Sequence, residues 1–139
     1  MPRFVILEHD HPFLHWDLMF EAGTVLRTWR LTRPLGSNPA PSEHDLHRTA
    51  EVTRIPAEEL PDHRMHYLDY EGPVSRNRGS VKQVESGWFH LLSATADCWE
   101  LRLEGNHASG FVSLNRIAVD SAEWVLAFMP DVDESPLGE

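Results

Sequence analysis

Short segments in which apolar and polar residues alternate, separated by turn residues, limit the fold of this chain more than any other feature. Alternation with a period of two places every second side chain on one face, so such segments predict half-buried strands. The segments with this pattern are 3–9, 15–21, 25–31, 48–55, 80–85, 88–94, 98–104, 110–117 and 123–129. We therefore expect an all-β fold, with at most minor α, of about eight antiparallel strands in a sandwich or partly closed barrel.

The residues between these segments predict how the strands are connected. Turn residues at Ala22-Gly23, at 85–87 and at 104–110 are typical of hairpins. The stretch 33–45 is rich in proline and predicts a loop. The stretch 56–62, PAEELPD, predicts at most one helical turn between its two prolines.

Length and composition predict a single domain over residues 1–139. The chain has 139 residues, of which 41% are hydrophobic, and this is enough to form a core. It contains no apolar run long enough to cross a membrane, and its single cysteine, Cys98, excludes an intramolecular disulfide framework. We therefore expect a cytoplasmic protein without a membrane partner.

Charge is unevenly distributed along the chain. A net charge of −10 spread evenly would repel the phosphate backbone of a nucleic acid. However, all six charged residues after Arg116 are acidic, which leaves 12 basic and 16 acidic side chains in the rest of the chain. A local basic patch is therefore compatible with this composition, and 130–139 is expected to be an acidic tail.

The stretch LEHDHPFLHWDL, residues 7–18, concentrates metal-ligating side chains. His15 and Asp17 are two residues apart and share one face of a predicted strand, which we expect to be open. His9 can join them only if the chain reverses near Pro12. A His, His, Asp set suits Mn²⁺, Zn²⁺ or Fe²⁺ better than Ca²⁺ or Mg²⁺. The alternative is that these are ordinary polar residues at the exposed end of a strand.

A second concentration of functional side chains is DHRMHYLDYEG, residues 62–72. In an extended chain His63 and Tyr67 have the same parity and reach the same cavity, while Leu68 packs inward. The alternative is a structural tyrosine next to a histidine that faces solvent.

Five motifs occur in an order that resembles the 3′-phosphoesterase domain of bacterial DNA ligase D. They are H-x5-H-W-D, T-W-R-L-T-R-P, H-x-M-x-Y-x-D-Y-E-G, W-x-L-x-L-x-G…G-x-V-x-L-x-R and E-W-V-L. The resemblance runs from about Phe4 to Asp131. It suggests a stand-alone homologue of that domain.

The resemblance implies a role for several residues. It assigns the metal ligands to His9, His15 and Asp17. It assigns phosphate contacts and catalysis to His63 and Tyr67. Substrate-binding cations fall on Arg33 and on Arg48, with Arg54 as the alternative to Arg48, and Arg76 is a further candidate.

The chain departs from the family pattern at three places. Met19 occupies a position where the family has an arginine, so one phosphate-binding cation is missing. Pro61 replaces an acidic residue, for which Glu59 is a substitute if the loop is drawn differently. The turn after E-G is short, and its Arg76 and Arg78 are candidates to restore the lost positive charge.

The function implied by the resemblance is metal-dependent hydrolysis at the 3′ end of a DNA or primer strand, in DNA repair. Removal of a terminal ribonucleotide leaves a 3′-phosphate, and removal of that phosphate leaves a 3′-OH. The implied cofactor is a divalent metal, with Mn²⁺ preferred over Zn²⁺ or another transition metal. The implied partners are DNA or DNA/RNA 3′ ends, and a separate ligase or polymerase is compatible with this role.

Two other functions stay open at this point. One is a non-catalytic module that binds nucleic-acid ends, which the acidic charge and Met19 favour. The other is a small non-haem Fe(II) oxygenase with a facial triad of His15, Asp17 and His90 and a cosubstrate contact from Arg102. The small size of the chain argues against this oxygenase.

Overall fold

The computed structural model describes residues 1–36 and 52–131. Within these residues it contains nine β-strands and one short 3₁₀ helix, Met65–Leu68. The strands are β1 Arg3–His9, β2 His15–Ala22, β3 Val25–Leu31, β4 Thr53–Arg64, β5 Gly72–Pro73, β6 Ser80–Ala94, β7 Cys98–Gly105, β8 Ser109–Arg116 and β9 Glu123–Pro130. No helix in this part of the chain is long and apolar enough to cross a membrane. Residues 37–45 of the predicted loop, Arg48 and residues 132–139 of the acidic tail lie outside the described ranges.

The strands form a closed antiparallel barrel. Their order is β1-β2-β3-β4-β9-β8-β7-β6, and β6 pairs back with β1. The ninth strand, β5, pairs with β6 outside the barrel. The predicted all-β antiparallel fold is confirmed, and the barrel is closed rather than partly open.

Apolar side chains occupy both faces of the first strands. The larger cluster fills the barrel and is built on aromatic rings, with Trp29 in edge contact with Trp99 and Trp124 at centroid distances of 5.3 Å. A second, smaller cluster lies on the outer face of β1 to β3. Its buried members are Val5, Leu7, Met19, Leu26, Leu68, Val74 and Val81. Residues 65–81 therefore cover the outside of the barrel at these strands.

The prediction of at most a helical turn at 56–62 is wrong, because β4 runs through both prolines. Pro56 pairs only with β9, since pairing with β3 starts at Ala57. Pro61 lies at a register shift, where Leu60 pairs with Thr28 but the next pair is formed by His63. Each proline thus stands where the hydrogen-bond ladder is incomplete, and its missing N–H is tolerated there.

The hairpin predicted at Glu85-Ser86-Gly87 is also wrong, because 80–94 is one continuous strand. These residues lie where β6 passes from its pairing with β1 to its pairing with β7, and the register with β1 shifts next to Glu85. The buried carboxylate of Glu85 accepts hydrogen bonds from the backbone N–H groups of Asn106 and His107. Glu85 therefore binds the backbone of the β7–β8 turn, and the segment 85–87 forms no turn of its own.

Replacement of Gly87 by alanine is expected to destabilise the barrel. A Cβ at this position would lie 2.1 Å from the carbonyl oxygen of Glu104, which is backbone and cannot rotate away. We expect Gly87→Ala to reduce the free energy of unfolding by about 2–4 kcal/mol, measured by urea denaturation. The exposed control in the same strand, Ser93→Ala, is expected to change it by less than about 0.5 kcal/mol. Equal stability of the two variants would contradict this account of Gly87.

Candidate metal centre and adjoining cleft

The β1–β2 turn brings three ligating side chains together. His9 and His15 are direct cross-strand partners at the ends of the two strands, and Asp17 follows His15 by two residues. One ligand atom from each of the three lies within 4.8 Å of the others. The reversal near Pro12 that His9 required is therefore present, and we refer to these three residues as the ligand group.

Backbone carbonyls orient both imidazole rings of the ligand group. His15 Nδ1 donates to the carbonyl of Phe13 at 2.8 Å, and His9 Nε2 donates to the carbonyl of Arg78 at 2.9 Å. In the neutral rings the opposite nitrogens, His15 Nε2 and His9 Nδ1, are therefore unprotonated. Such hydrogen bonds to the non-coordinating nitrogen are typical of histidines that bind metals.

The unprotonated nitrogens face the carboxylate of Asp17. His15 Nε2 lies 3.3 Å from Asp17 Oδ1, and His9 Nδ1 lies 3.6 Å from Asp17 Oδ2. His15 Nε2 and Asp17 Oδ1 are both buried, and neither has a hydrogen-bond partner among the described residues. Buried lone pairs that face one another are unfavourable without a positive charge between them. The residues present therefore fit a divalent cation bound by two nitrogens and a carboxylate.

The face that carries the ligand group is covered. Fractional exposure is 0% for His15 and 3% for Asp17. The sequence pattern predicted an open face here, and this prediction is wrong because residues 61–81 fold over the outer side of β1 and β2. The site is therefore the floor of a cleft rather than an exposed strand surface.

This cleft has a volume of about 290 Å³. Its lining residues come from β1, β2, the end of β4 and the segment that follows it. They are His9, Asp17, Met19, Pro61, Asp62, His63, Arg64, Tyr67, Val74, Arg78 and Val81. The structure thus brings the two concentrations of functional side chains seen in the sequence to one site.

His63 and Tyr67 both line the cleft, but from two kinds of structure. His63 lies near the end of β4, whereas Tyr67 lies on the 3₁₀ helix, so the strand parity used for the prediction does not hold between them. Their ring centroids are 5.9 Å apart. His63 Nδ1 donates to the carbonyl of Pro61 at 2.9 Å, which leaves Nε2 free to accept or donate a proton.

The wall that carries Tyr67 is fixed to the barrel by polar contacts. Arg3 Nη2 donates to Asp69 Oδ1 at 2.7 Å, and this guanidinium holds the pKa of the Asp69 carboxyl below its usual range. The backbone N–H of Gln83 donates to Glu71 at 2.7 Å. Leu68, which packs inward as predicted, anchors the same wall in the outer apolar cluster.

The cationic side chains that line the cleft overlap only in part with the candidates named from the sequence, because Arg78 was a candidate and Arg64 was not. Arg33 donates to the backbone carbonyl of Arg54 and is not among the cleft-lining residues that the structure describes. Arg76 is exposed in the β5–β6 turn and does not line the cleft either. Arg64 and Arg78 do line it, and the Arg78 guanidinium also donates to the carbonyl and hydroxyl of Ser75 at 2.8 and 3.1 Å. Arg64 was overlooked, although it directly follows His63 in the sequence.

The structure also shows what the residues do at the two other places where the chain departs from the family pattern, Met19 and Pro61. Met19 is 1% exposed and packs in the outer apolar cluster beside the cleft. Glu59 cannot orient His63 because its carboxylate binds Arg27 at 2.8 Å and accepts from the indole of Trp124. The Pro61 carbonyl is the group that orients His63 instead.

Comparison with known protein families gives a match over residues 7–116 to the DNA Ligase D 3′-phosphoesterase domain. The matched region contains the whole ligand group and every residue that lines the cleft. The chain belongs to this family. No curated protein matches the chain. The family resemblance of the sequence motifs is thus confirmed over most of the chain.

In this phosphoesterase-family domain, the facial triad of an oxygenase is not assembled. His90 lies 3.6 Å from Glu104, and Arg102 forms two contacts with Asp131, at 3.0 and 2.6 Å. His90 is nine residues further along β6 than Val81, the cross-strand partner of His9, a separation of roughly 30 Å in a strand. The group that meets His15 and Asp17 contains His9 instead.

Substitution of His15 is expected to weaken metal binding. Because His15→Ala removes one of three ligands, we expect its affinity for Mn²⁺ or Zn²⁺ to fall at least roughly 100-fold in calorimetric titration. His90→Ala is the matched control and is expected to bind as tightly as the wild type. An unchanged affinity in His15→Ala, or an equal loss in both variants, would contradict the assignment of the ligand group.

Proposed function

We propose that this domain is a metal-dependent phosphoesterase that processes the 3′ ends of DNA or primer strands. The observation that carries the proposal is that His9 and Asp17 of the ligand group line the same cleft as the His63–Tyr67 pair in a member of the 3′-phosphoesterase family. The proposed substrates are DNA or DNA/RNA 3′ ends. The proposed protein partner is a separate ligase or polymerase, which would use the 3′-OH end that this domain produces. The proposed location is the cytoplasm.

His9, His15 and Asp17 would hold the cation, for which Mn²⁺ is our first choice. When bound there, the cation would supply Lewis acidity toward a phosphoryl oxygen and lower the pKa of a bound water. The hydrogen bonds from the two rings to the Phe13 and Arg78 carbonyls keep the ligand nitrogens aimed at the site. This preorganisation means that little reorganisation is needed when substrate binds.

His63 and Tyr67 are the proposed catalytic residues. With Nδ1 held by the Pro61 carbonyl, His63 presents Nε2 to the cleft, where it holds or delivers the proton that the reaction moves. Tyr67 presents a hydroxyl that donates to a phosphate oxygen. Arg64, whose guanidinium carbon lies 5.8 Å from the centre of the Tyr67 ring, adds positive charge at the same wall.

The proposed reaction has two hydrolytic steps that share this cleft. In the first, water adds to the phosphorus and the bond to the 5′ oxygen of a terminal ribonucleoside breaks, which leaves a 3′-phosphate. In the second, water adds again and the bond to the 3′ oxygen breaks, which gives inorganic phosphate and a 3′-OH. In each step the departing oxygen receives a proton, which is the role assigned to His63.

Activity on a primer-template with a 3′-phosphate tests this proposal. With Mn²⁺ we expect phosphate release that a chelator abolishes, and we expect His63→Ala to lower kcat by roughly 10² to 10³. His107→Ala is the control, because His107 contacts Glu85 only through its backbone N–H, and its rate should equal that of the wild type. Binding of DNA ends that is sensitive to salt but not to chelator, without any product, would instead indicate a non-catalytic end-binding module.

A second experiment compares Arg64 and Arg78, which line the cleft, with Arg76, a substrate-binding candidate that lies outside it. Arg64→Gln and Arg78→Gln are each expected to raise KM about 5- to 10-fold and to reduce the salt dependence of DNA binding by roughly one unit of slope. Arg76→Gln removes the same charge from an exposed position outside the cleft and serves as the comparison. A larger effect at Arg76 than at Arg64 or Arg78 would show that Arg76 binds the substrate and would contradict the roles proposed for the two cleft arginines.

A further inference from the structure

A second groove lies beside the ligand group and is unused by the proposed hydrolysis. Its volume is about 260 Å³, slightly below the roughly 300–1,000 Å³ of pockets that bind drug-sized molecules. Most of its lining is apolar and is formed by Phe13, Leu31, Pro56, Ala57, Ile117 and Trp124. The polar lining residues are Arg30, Thr32, Glu58 and Glu123. We call it the apolar groove, and its size suits a single planar ring system.

Phe13 joins the apolar groove to the ligand group. Phe13 is 56% exposed although it is large and apolar, and its ring is in edge contact with the ring of His15 at a centroid distance of 5.6 Å. Arg30 is the cross-strand partner of Asp17, and its guanidinium carbon lies 5.4 Å from the centre of the Phe13 ring. Phe13 therefore lies next to His15 and Arg30 next to Asp17, although neither Phe13 nor Arg30 lines the cleft.

The charges of the apolar groove select against a phosphate and in favour of a neutral hydrogen-bond donor. Glu58 and Glu123 are direct cross-strand partners, an arrangement of like charges that destabilises a sheet. Arg30 lies 3.7 Å from Glu58 and therefore compensates only part of this repulsion. Carboxylates at the rim of an apolar groove are acceptors for the amino groups of adenine, cytosine or guanine, whereas thymine offers no such group.

A second aromatic cluster, formed by His66, Tyr67 and Tyr70, is less suited to stacking on a nucleobase. His66 and Tyr70 pack on each other with ring centroids 4.5 Å apart, and Tyr67 packs against both, at 5.1 Å from His66 and 6.0 Å from Tyr70. These rings already use one another as packing partners. Phe13 is more exposed than either tyrosine and lines the apolar groove, so it is the better platform for stacking.

We propose that the apolar groove binds the nucleobase of the nucleotide that carries the 3′-phosphate, with Phe13 as its stacking platform. The inference rests on the proposed function, because it takes the phosphate of that nucleotide to lie at the ligand group. Stacking of one base on an aromatic side chain contributes about 1–3 kcal/mol. The base therefore contributes to affinity, and amino-bearing bases are preferred over thymine.

Calorimetric titration tests the groove without relying on turnover. The protein carries His63→Ala and is titrated, in the presence of Mn²⁺, with 2′-deoxyadenosine 3′-monophosphate, its thymidine analogue and base-free deoxyribose 3-phosphate. We expect the adenine nucleotide to bind about 10-fold more tightly than the base-free compound, with the thymine nucleotide between them. Adding Phe13→Leu should abolish the difference, and Phe13→Trp should restore it. Phe111→Leu, on an exposed phenylalanine of β8, is the control and should retain it.

The possible outcomes distinguish failure of base binding in the apolar groove from failure of the proposed phosphoesterase activity. Equal affinity for all three compounds, or an equal loss of affinity for all three in Phe13→Leu, would contradict base binding in the apolar groove. A change in Mn²⁺ affinity in Phe13→Leu would also overturn it, because Phe13 would then act by holding His15. Wild-type protein that fails to hydrolyse a 3′-phosphate end but shows the base-dependent binding would refute the phosphoesterase activity alone. Hydrolysis without any base preference would refute the groove alone.

Discussion

The convergence of two imidazole lone pairs on one buried carboxylate is the interaction on which the rest of the site depends. Neither His15 Nε2 nor Asp17 Oδ1 is satisfied by another described residue, although both are buried. If either ring changed its tautomer to place a proton between these atoms, it would lose its hydrogen bond to the carbonyl of Phe13 or Arg78. With both rings neutral, unprotonated nitrogens and carboxylate oxygens therefore face one another, an arrangement that a divalent cation would satisfy.

The barrel makes this arrangement possible because its first strands are buried on both faces. The inner face of β1 to β3 contributes to the aromatic core, and the outer face carries the ligand group next to a second apolar cluster. Residues 61–81 cover this outer face and supply His63, Tyr67, Arg64 and Arg78 to the cleft. A surface that would otherwise be open thereby becomes a partly enclosed site, in which electrostatic interactions are stronger than in bulk water.

Sequence reasoning succeeded where the information was local. Alternation located β1, β2, β3 and the last three strands, and the parity of β2 placed His15 and Asp17 on one face. It failed at 56–62 and at Glu85-Ser86-Gly87, where residues typical of turns lie inside long strands. In both places the cause is a neighbouring strand: an interrupted ladder tolerates the prolines, and the approach of Glu104 requires Gly87. Such contacts join residues far apart in the chain, so no local pattern reports them.

By itself, the sequence determined the all-β fold, the family and the residues of the ligand group, because these depend on residue type and on spacing within one or two adjacent strands. Only the tertiary structure decided which cations face the site. Arg64 and Arg78 line the cleft, whereas Arg33 and Arg76 are not among its lining residues. It also decided that the Pro61 carbonyl orients His63 and that His15 and Asp17 are buried. The physical reason is that a long side chain or a covering segment is positioned by packing between distant elements, which spacing along the chain does not specify.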